Sequence, residues 1–192
     1  IDINKAATQD FTKSGHKGFY AFGDILPGTP VRQNPNFEFA SVKQGTELIA
    51  ALDGVVGFIQ EQPDSRDYEV FLMPSENSQW VVSYDHVTNL AVKKGDSVKA
   101  GQRLGTAAQQ NNGLYRYELQ INHGKDDATT TQTCPTTLLD GSVKSKIESA
   151  LKAMQDQWET ISGLELYDTA KQDPMGCIKK TLTPQEAQGT AK

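Results

Sequence analysis

Three histidines, His16, His86 and His123, are all that this chain of 192 residues offers for imidazole chemistry. No two of them stand at metal-ligand spacing. Catalytic zinc takes three nitrogen, oxygen or sulfur ligands and keeps a fourth position for water. Without the ion no water is brought to a pKa near neutral, and hydrolysis by that route stops. His86, in the triplet Tyr84-x-His86, has no nucleophile beside it in sequence and is expected to serve as a hydrogen-bonded groove residue. An alternative metal set, His16, Asp24 and His123, needs the short run Phe19–Phe22 to bring His16 and Asp24 together. Lys93, Lys94 and Lys99 are the candidates for a modified carrier lysine, but they lie in a Gly-Asp turn segment, not at an exposed hairpin tip.

The two cysteines, Cys134 and Cys177, cannot complete a four-ligand zinc site and show no CxxC spacing. They are either reduced thiols or a disulfide. The disulfide is preferred, because both lie in irregular, polar, Pro-flanked segments that bracket one helix. Closing that loop would contribute ~4 kcal/mol by the chain-entropy model. It would also imply an oxidising compartment: periplasm, cell surface or medium.

The elements that must position these residues are mostly short strands. The stretch Tyr84–Leu119 is the centre, with extended runs broken at Gly95-Asp96 and Ala100-Gly101, where glycine and Asp favour sharp turns. Upstream, Phe19–Gly23, Phe37–Ala40, Gly45–Gly54, Val55–Ile59, Tyr68–Met73 and Gln79–Tyr84 read as strands or strand-plus-turn. Asp24–Asn36 and Gly124–Pro135 read as loops, and residues 1–18 as an arm. From Ser142 the period changes. Val143, Ile147, Ala150, Leu151, Met154, Trp158 and Ile161 form one stripe of a helix of about five turns. Ser142 is its expected N-cap and Gly163 its terminating glycine. The tail from Thr181 reads as frayed. The fold class is therefore mainly β, with an appended C-terminal α-helix.

The net charge of −5 and a pI near 5.2, without a Lys/Arg cluster, argue against a nucleic-acid partner. No apolar run approaches the ~18 residues of a membrane span, so the chain as given reads as soluble. No signal peptide is visible. A first residue that is not Met suggests a trimmed product that has lost a leader or a lipid anchor.

Gly45-Thr46, Ala50-Ala-Leu-Asp-Gly-Val-Val56, Tyr84-x-His86, Val92-x-x-Gly-Asp-x-Val-x-x-Gly-Gln-x-x-Gly105 and Tyr117-Glu118 occur here in one order. In that order the chain resembles the lysostaphin-like zinc endopeptidases, which cut peptide cross-bridges of bacterial peptidoglycan. The resemblance covers roughly residues 20–140. It implies a two-layer antiparallel β-sheet of barrel-sandwich type (duplicated hybrid motif) with a groove across the larger sheet. The Gly-Asp-x-Val segment also occurs in biotinyl and lipoyl carriers, so an adaptor or carrier domain is an alternative.

Carried over residue by residue, the resemblance puts Asn34 and Glu38 where the family has a zinc-binding His and Asp. It puts Leu114 where the family has a catalytic His and Arg116 where it has the third ligand. Only the Tyr-x-His histidine is retained, as His86. Leucine has no lone pair, and arginine is a permanent cation that repels a metal. The expectation is a degenerate peptidase domain over 19–140 with no metal, no cofactor and no catalysis. A helical extension over 141–192, tied by Cys134–Cys177, would cover the groove or form a docking face. The groove, lined by Asn34, Glu38, Tyr84, His86, Leu114, Tyr115 and Arg116, would hold a peptide, a glycan or an envelope partner, with the chain periplasmic, surface-bound or secreted. An active zinc endopeptidase with unusual ligands is the other alternative. Glu38 and Arg116 either form a bidentate pair across the groove in place of zinc or remain two separately solvated charges.

Overall fold

Alternation of apolar and polar side chains builds one antiparallel sheet whose inner face is the core. The computed structural model describes residues 15–26, 30–126 and 128–189. Its strands are β1 (Phe19–Tyr20), β2 (Ile25–Leu26), β3 (Arg32–Gln33), β4 (Phe37–Val42), β5 (Glu47–Ile49), β6 (Gly54–Gln62), β7 (Asp67–Met73), β8 (Trp80–Thr88), β9 (Ser97–Val98), β10 (Arg103–Gln109), β11 (Tyr115–His123), β12 (Thr131–Thr133) and β13 (Thr181–Leu182). Helices α1 (Gly141–Ser162) and α2 (Pro184–Gln188) follow β12 and β13 respectively.

The floor of the molecule runs β1-β4-β11-β8-β7-β6, every neighbouring pair antiparallel. β10 pairs with the ends of both β11 and β8 and carries β5 on its other side, and β9 pairs with the start of β6. Along β11, Tyr117, Leu119 and Ile121 pack on the core. By the two-residue period of a strand, Arg116, Glu118, Gln120 and Asn122 take the opposite face. Val70, Leu72, Val82 and Leu104, all at most 4% exposed, fill the interior. Gly95 and Gly101, at φ +89° and +83°, make the turns expected around β9.

Helix α1 ends as expected at Gly163, in the left-handed conformation. Its N-cap is Asp140 and not Ser142. The Asp140 carboxylate, two residues before the expected cap, accepts from the Ser142 backbone N–H. Leu151, Met154 and Trp158 are buried, whereas Val143 at the first turn is exposed. The helix does not cover the groove. It braces the β1 edge, where Trp158 Nε1 donates to the His16 carbonyl and the Tyr167 hydroxyl accepts from Gly18 and Phe19. A Cβ on Gly18 would meet the Trp158 ring at 2.3 Å. Gly18→Ala is therefore expected to cost about 2 kcal/mol, as overpacking does. An unchanged urea midpoint would show that the ring can move aside.

Three segments expected to be irregular are ordered. β2 and β3 pair within the expected loop 24–36, β12 forms in the 124–135 loop, and β13 joins β12 so that the tail extends the sheet. Leu182 is 1% exposed, which fixes what a polar composition hid. Thr183 and Glu186 then cap α2 reciprocally. Cys134 and Cys177 are joined in a disulfide, and both are buried. The expected arm falls mostly on residues 1–14, outside the described residues. No described helix is long and apolar enough to cross a membrane.

Candidate functional site

The strand register lines up carboxylates. Glu118 on β11 is directly opposite Glu38 on β4 and Asp85 on β8. On β8, two residues, Asp85 and His86, face the single Glu69 of β7. That extra residue is a bulge, and His86 takes φ +58° in it. The bulge lets Asp85 and His86 both reach the outer face. Like charges directly opposite one another across strands are destabilising, so the row Glu38–Glu118–Asp85–Glu69 needs cations.

Arg116 supplies the main one. Its Nη1 lies 3.1 Å from Glu38 Oε1 and its Nη2 lies 3.3 Å from Glu118 Oε1. The same Nη2 contacts His86 Nε2. The expected Glu38–Arg116 pair is thus present, but it is not bidentate. The guanidinium fork is divided between two carboxylates and an imidazole, because Glu118 competes for it. His86 is fixed from its other side, where Nδ1 lies 2.7 Å from Asp67 Oδ2. Asp67 is fully buried and also accepts from Ser65 Oγ at 2.6 Å. Asn36 Nδ2 donates to Glu118 Oε2.

Compensation along the row is uneven. Burial, then Glu118, push Glu38 up to about 7 against the pull of Arg116. Burial and Asp85 push Glu69 up to about 7. Burial also raises Asp85. Glu118 is raised by burial too, but His86, Arg116 and Asn36 outweigh that and hold it below its usual value. Burial pulls His86 down, yet Glu118, Asp85 and Asp67 together leave it raised.

Two basins open on this face. One, about 450 Å³, is lined by Tyr20, Arg32, Asn36, Glu38, Arg116 and Glu118 among others. The second, about 480 Å³, is lined by Glu69, Phe71, Val81, Gln132 and Pro184 among others. Pro35 and Gln120 border both. A basin of about 500 Å³ lies elsewhere, beside β9, where Asp53 and Lys99 pair with each other.

Of the residues expected in the groove, Glu38, His86 and Arg116 meet in one cluster. Asn34 borders the first basin but is 1% exposed, its amide donating to the carbonyls of Tyr20, Ala21 and Asn36. Its role is to hold a chain corner. Tyr84 and Leu114 are not groove residues. Tyr84 is 3% exposed with its hydroxyl on the Ala51 backbone N–H, and Leu114 is 1% exposed. Tyr115 packs on the core side of β11. Asp67, Glu69, Asp85 and Asn36 went unnoticed in sequence reasoning. The available signal was the period of two, which puts Asp67 and Glu69 on one face of a strand whose other face is Val70 and Leu72.

A zinc ion does not fit the positions that the resemblance assigns to it. Asn34 spends its amide on three carbonyls, and at Arg116 a guanidinium stands against the His86 nitrogen. Among the described residues one group of metal-ligating side chains comes together, Asp67, Asp85 and His86. There too His86 Nδ1 is taken by Asp67 and Nε2 faces Arg116. His16, Asp24 and His123 form no such group. Asp24 pairs with Lys17, and the His123 ring stacks on Trp80.

The family model of Peptidase family M23 matches residues 38–130. Among curated proteins, the uncharacterized lipoprotein YgeR of Escherichia coli strain K12 is 30% identical over 83 residues, covering 43% of this chain and 32% of that protein. The match thus spans about a third of that relative's length. Among solved structures, the antimicrobial peptidase lysostaphin from Staphylococcus simulans superposes with a TM-score of 0.52 at 20% identity, over 72% of this chain and 54% of that one. At that identity the likeness concerns the fold.

Proposed function

We propose that this chain, whose residues 38–130 match the model of Peptidase family M23, holds a ligand in its groove instead of cutting one. The observation that carries the reading is the Arg116 guanidinium, shared among Glu38, Glu118 and His86. A fixed positive charge at a position where the family binds a divalent ion opposes metal binding through Coulomb repulsion. The retained His86 is then a hydrogen-bonding group of the groove and not an acid–base catalyst.

The ligand class is a peptide or glycan of the cell wall, or a segment of an envelope protein. An envelope location, periplasmic, surface-bound or secreted, is supported by the buried disulfide, by the family, and by similarity to a protein named as a lipoprotein. The acidic net charge goes with no nucleic-acid role.

Two measurements test this together. Protein incubated with zinc and then dialysed is expected to retain far less than stoichiometric metal and to release no soluble fragments from purified peptidoglycan sacculi. In the same preparation, sacculi or envelope extract should retain the wild type and lose Gln120→Arg, whose new side chain blocks the border between the two basins. Stoichiometric zinc with fragment release would replace binding by hydrolysis.

A further inference from the structure

The basin around Glu69 presents a carboxylate and an unpartnered amide oxygen. Three of its donors are used internally. Gln120 Nε2 donates to Asn122 Oδ1 at 2.7 Å, Asn122 Nδ2 donates to Ser83 Oγ at 3.4 Å, and the Ser83 hydroxyl bonds the Glu69 carboxylate. Gln132 Oε1, on a residue only 9% exposed, borders the basin with no hydrogen-bond partner among the described residues. In the adjoining basin Asn36 Oδ1, on a residue 7% exposed, is likewise unpartnered. Buried polar atoms are almost always satisfied, so an orphaned acceptor calls for an explanation. Among the described residues no lysine or arginine lines the Glu69 basin, although Glu69 shares the face with Asp85 and Glu118. The rest of its wall is apolar: Phe71, Val81, Pro184 and Ala187.

We infer that this basin receives the alkyl-ammonium side chain of a peptide ligand, its ammonium on Glu69, its stem along Phe71 and Val81, and a backbone N–H of the peptide on the orphaned Gln132 oxygen at the far end beside Pro184. A primary ammonium has three donors and no acceptor, which suits the Glu69 carboxylate, and the peptide N–H groups beside it suit an orphaned amide oxygen. Its compact charge suits the single carboxylate of Glu69, whereas a guanidinium asks for one planar, bidentate face. An apolar wall beside the charge suits a methylene stem. Gln132, Pro184 and Ala187 lie outside residues 38–130, so the subsite is completed by the part of this chain that follows the family match. The inference rests on the groove-binding reading above.

The test uses the full chain, labelled with ¹⁵N, titrated with a capped Gly-Lys-Gly peptide and with the same peptide acetylated on the lysine nitrogen. The lysine peptide is expected to shift amide resonances of β7, β12 and α2. Acetylation, or Glu69→Gln in the protein, should weaken binding by about tenfold, the size of one charge-assisted hydrogen bond. Gln132→Met, which removes the orphaned oxygen and keeps the volume, should fold and weaken binding in the same direction. Equal binding of both peptides, shifts confined to other strands, or no binding of either peptide overturns the ammonium assignment. If sacculi still retain the protein through the Gln120 border in those cases, the groove-binding reading survives it; loss of that retention as well would sink both.

Discussion

Replacing both Cys134 and Cys177 with Ser is expected to lower unfolding stability by ~4 kcal/mol. The bond spans 43 residues of sequence, and a loop of that length removes about that much conformational entropy from the unfolded chain. Domains are usually stable by only ~5–15 kcal/mol, so the loss is a large fraction of the whole. The native contacts around the bond say what is lost with it. Phe22 bridges to Cys177, Cys134 N–H donates to the Lys180 carbonyl, and Thr136 Oγ bonds the Met175 carbonyl. These contacts hold the segment between α1 and β13 against β1. A urea titration of the double variant should therefore show a lower midpoint, with early proteolytic cleavage between 163 and 180. Because both sulfurs are buried, reductant alone should act slowly until denaturant is added. A variant with an unshifted midpoint would show that the surrounding packing is sufficient without the bond.

The disulfide and the strand content were legible in the sequence because each has a local signature. Pro-flanked cysteines bracket a 3.6-period segment, and glycine turns separate runs of alternating apolar residues. The site was only half legible. Glu38 and Arg116 were found by their positions in a resemblance, but their partners Glu118, Asp85 and Glu69 are brought together by strand register. Register depends on which strands pair, and β11 pairs along most of its length with β8, thirty-odd residues upstream, and only at its ends with its sequential neighbours β10 and β12. The bulge at His86 adds one residue to a single strand and so moves Asp85 and His86 to one face; nothing at the triplet Tyr84-x-His86 announces it. Tyr84 was misread for the same reason, since alternation across the bulge cannot be counted from sequence. The tail was misread because one buried residue, Leu182, outweighs the polar residues around it.

Stability is expected to be greatest near pH 5 and to fall toward pH 8, on the order of 3 kcal/mol after solvent screening is allowed for. Glu38 and Glu69 have ordinary values of 4.5 and are pushed up to about 7 in the fold. Between those values the folded chain holds protons that the unfolded chain has released, so stability falls as pH rises. Asp85, raised chiefly by burial, adds to the same slope. His86 does so as well: its stabilisation is complete below the ordinary value of 6.5 and is lost as pH rises through its higher folded value. Glu118 works the other way, being held below 4.5, so its contribution is present above that value and disappears in stronger acid. The five contributions therefore meet in a maximum, and two variants assign it. Glu69→Gln should stabilise the fold by about 1 kcal/mol at pH 8 and leave it unchanged at pH 5. Arg116→Met should be strongly destabilising at pH 8, about 3 kcal/mol, because Glu38 and Glu118 then face each other half-buried and uncompensated. At pH 5, where Glu38 carries a proton, the same variant should lose much less. Urea titrations of the three proteins at the two pH values decide the matter. A wild type that is more stable at pH 8, or an Arg116→Met penalty independent of pH, would mean that the carboxylate row does not share its charge as the geometry requires.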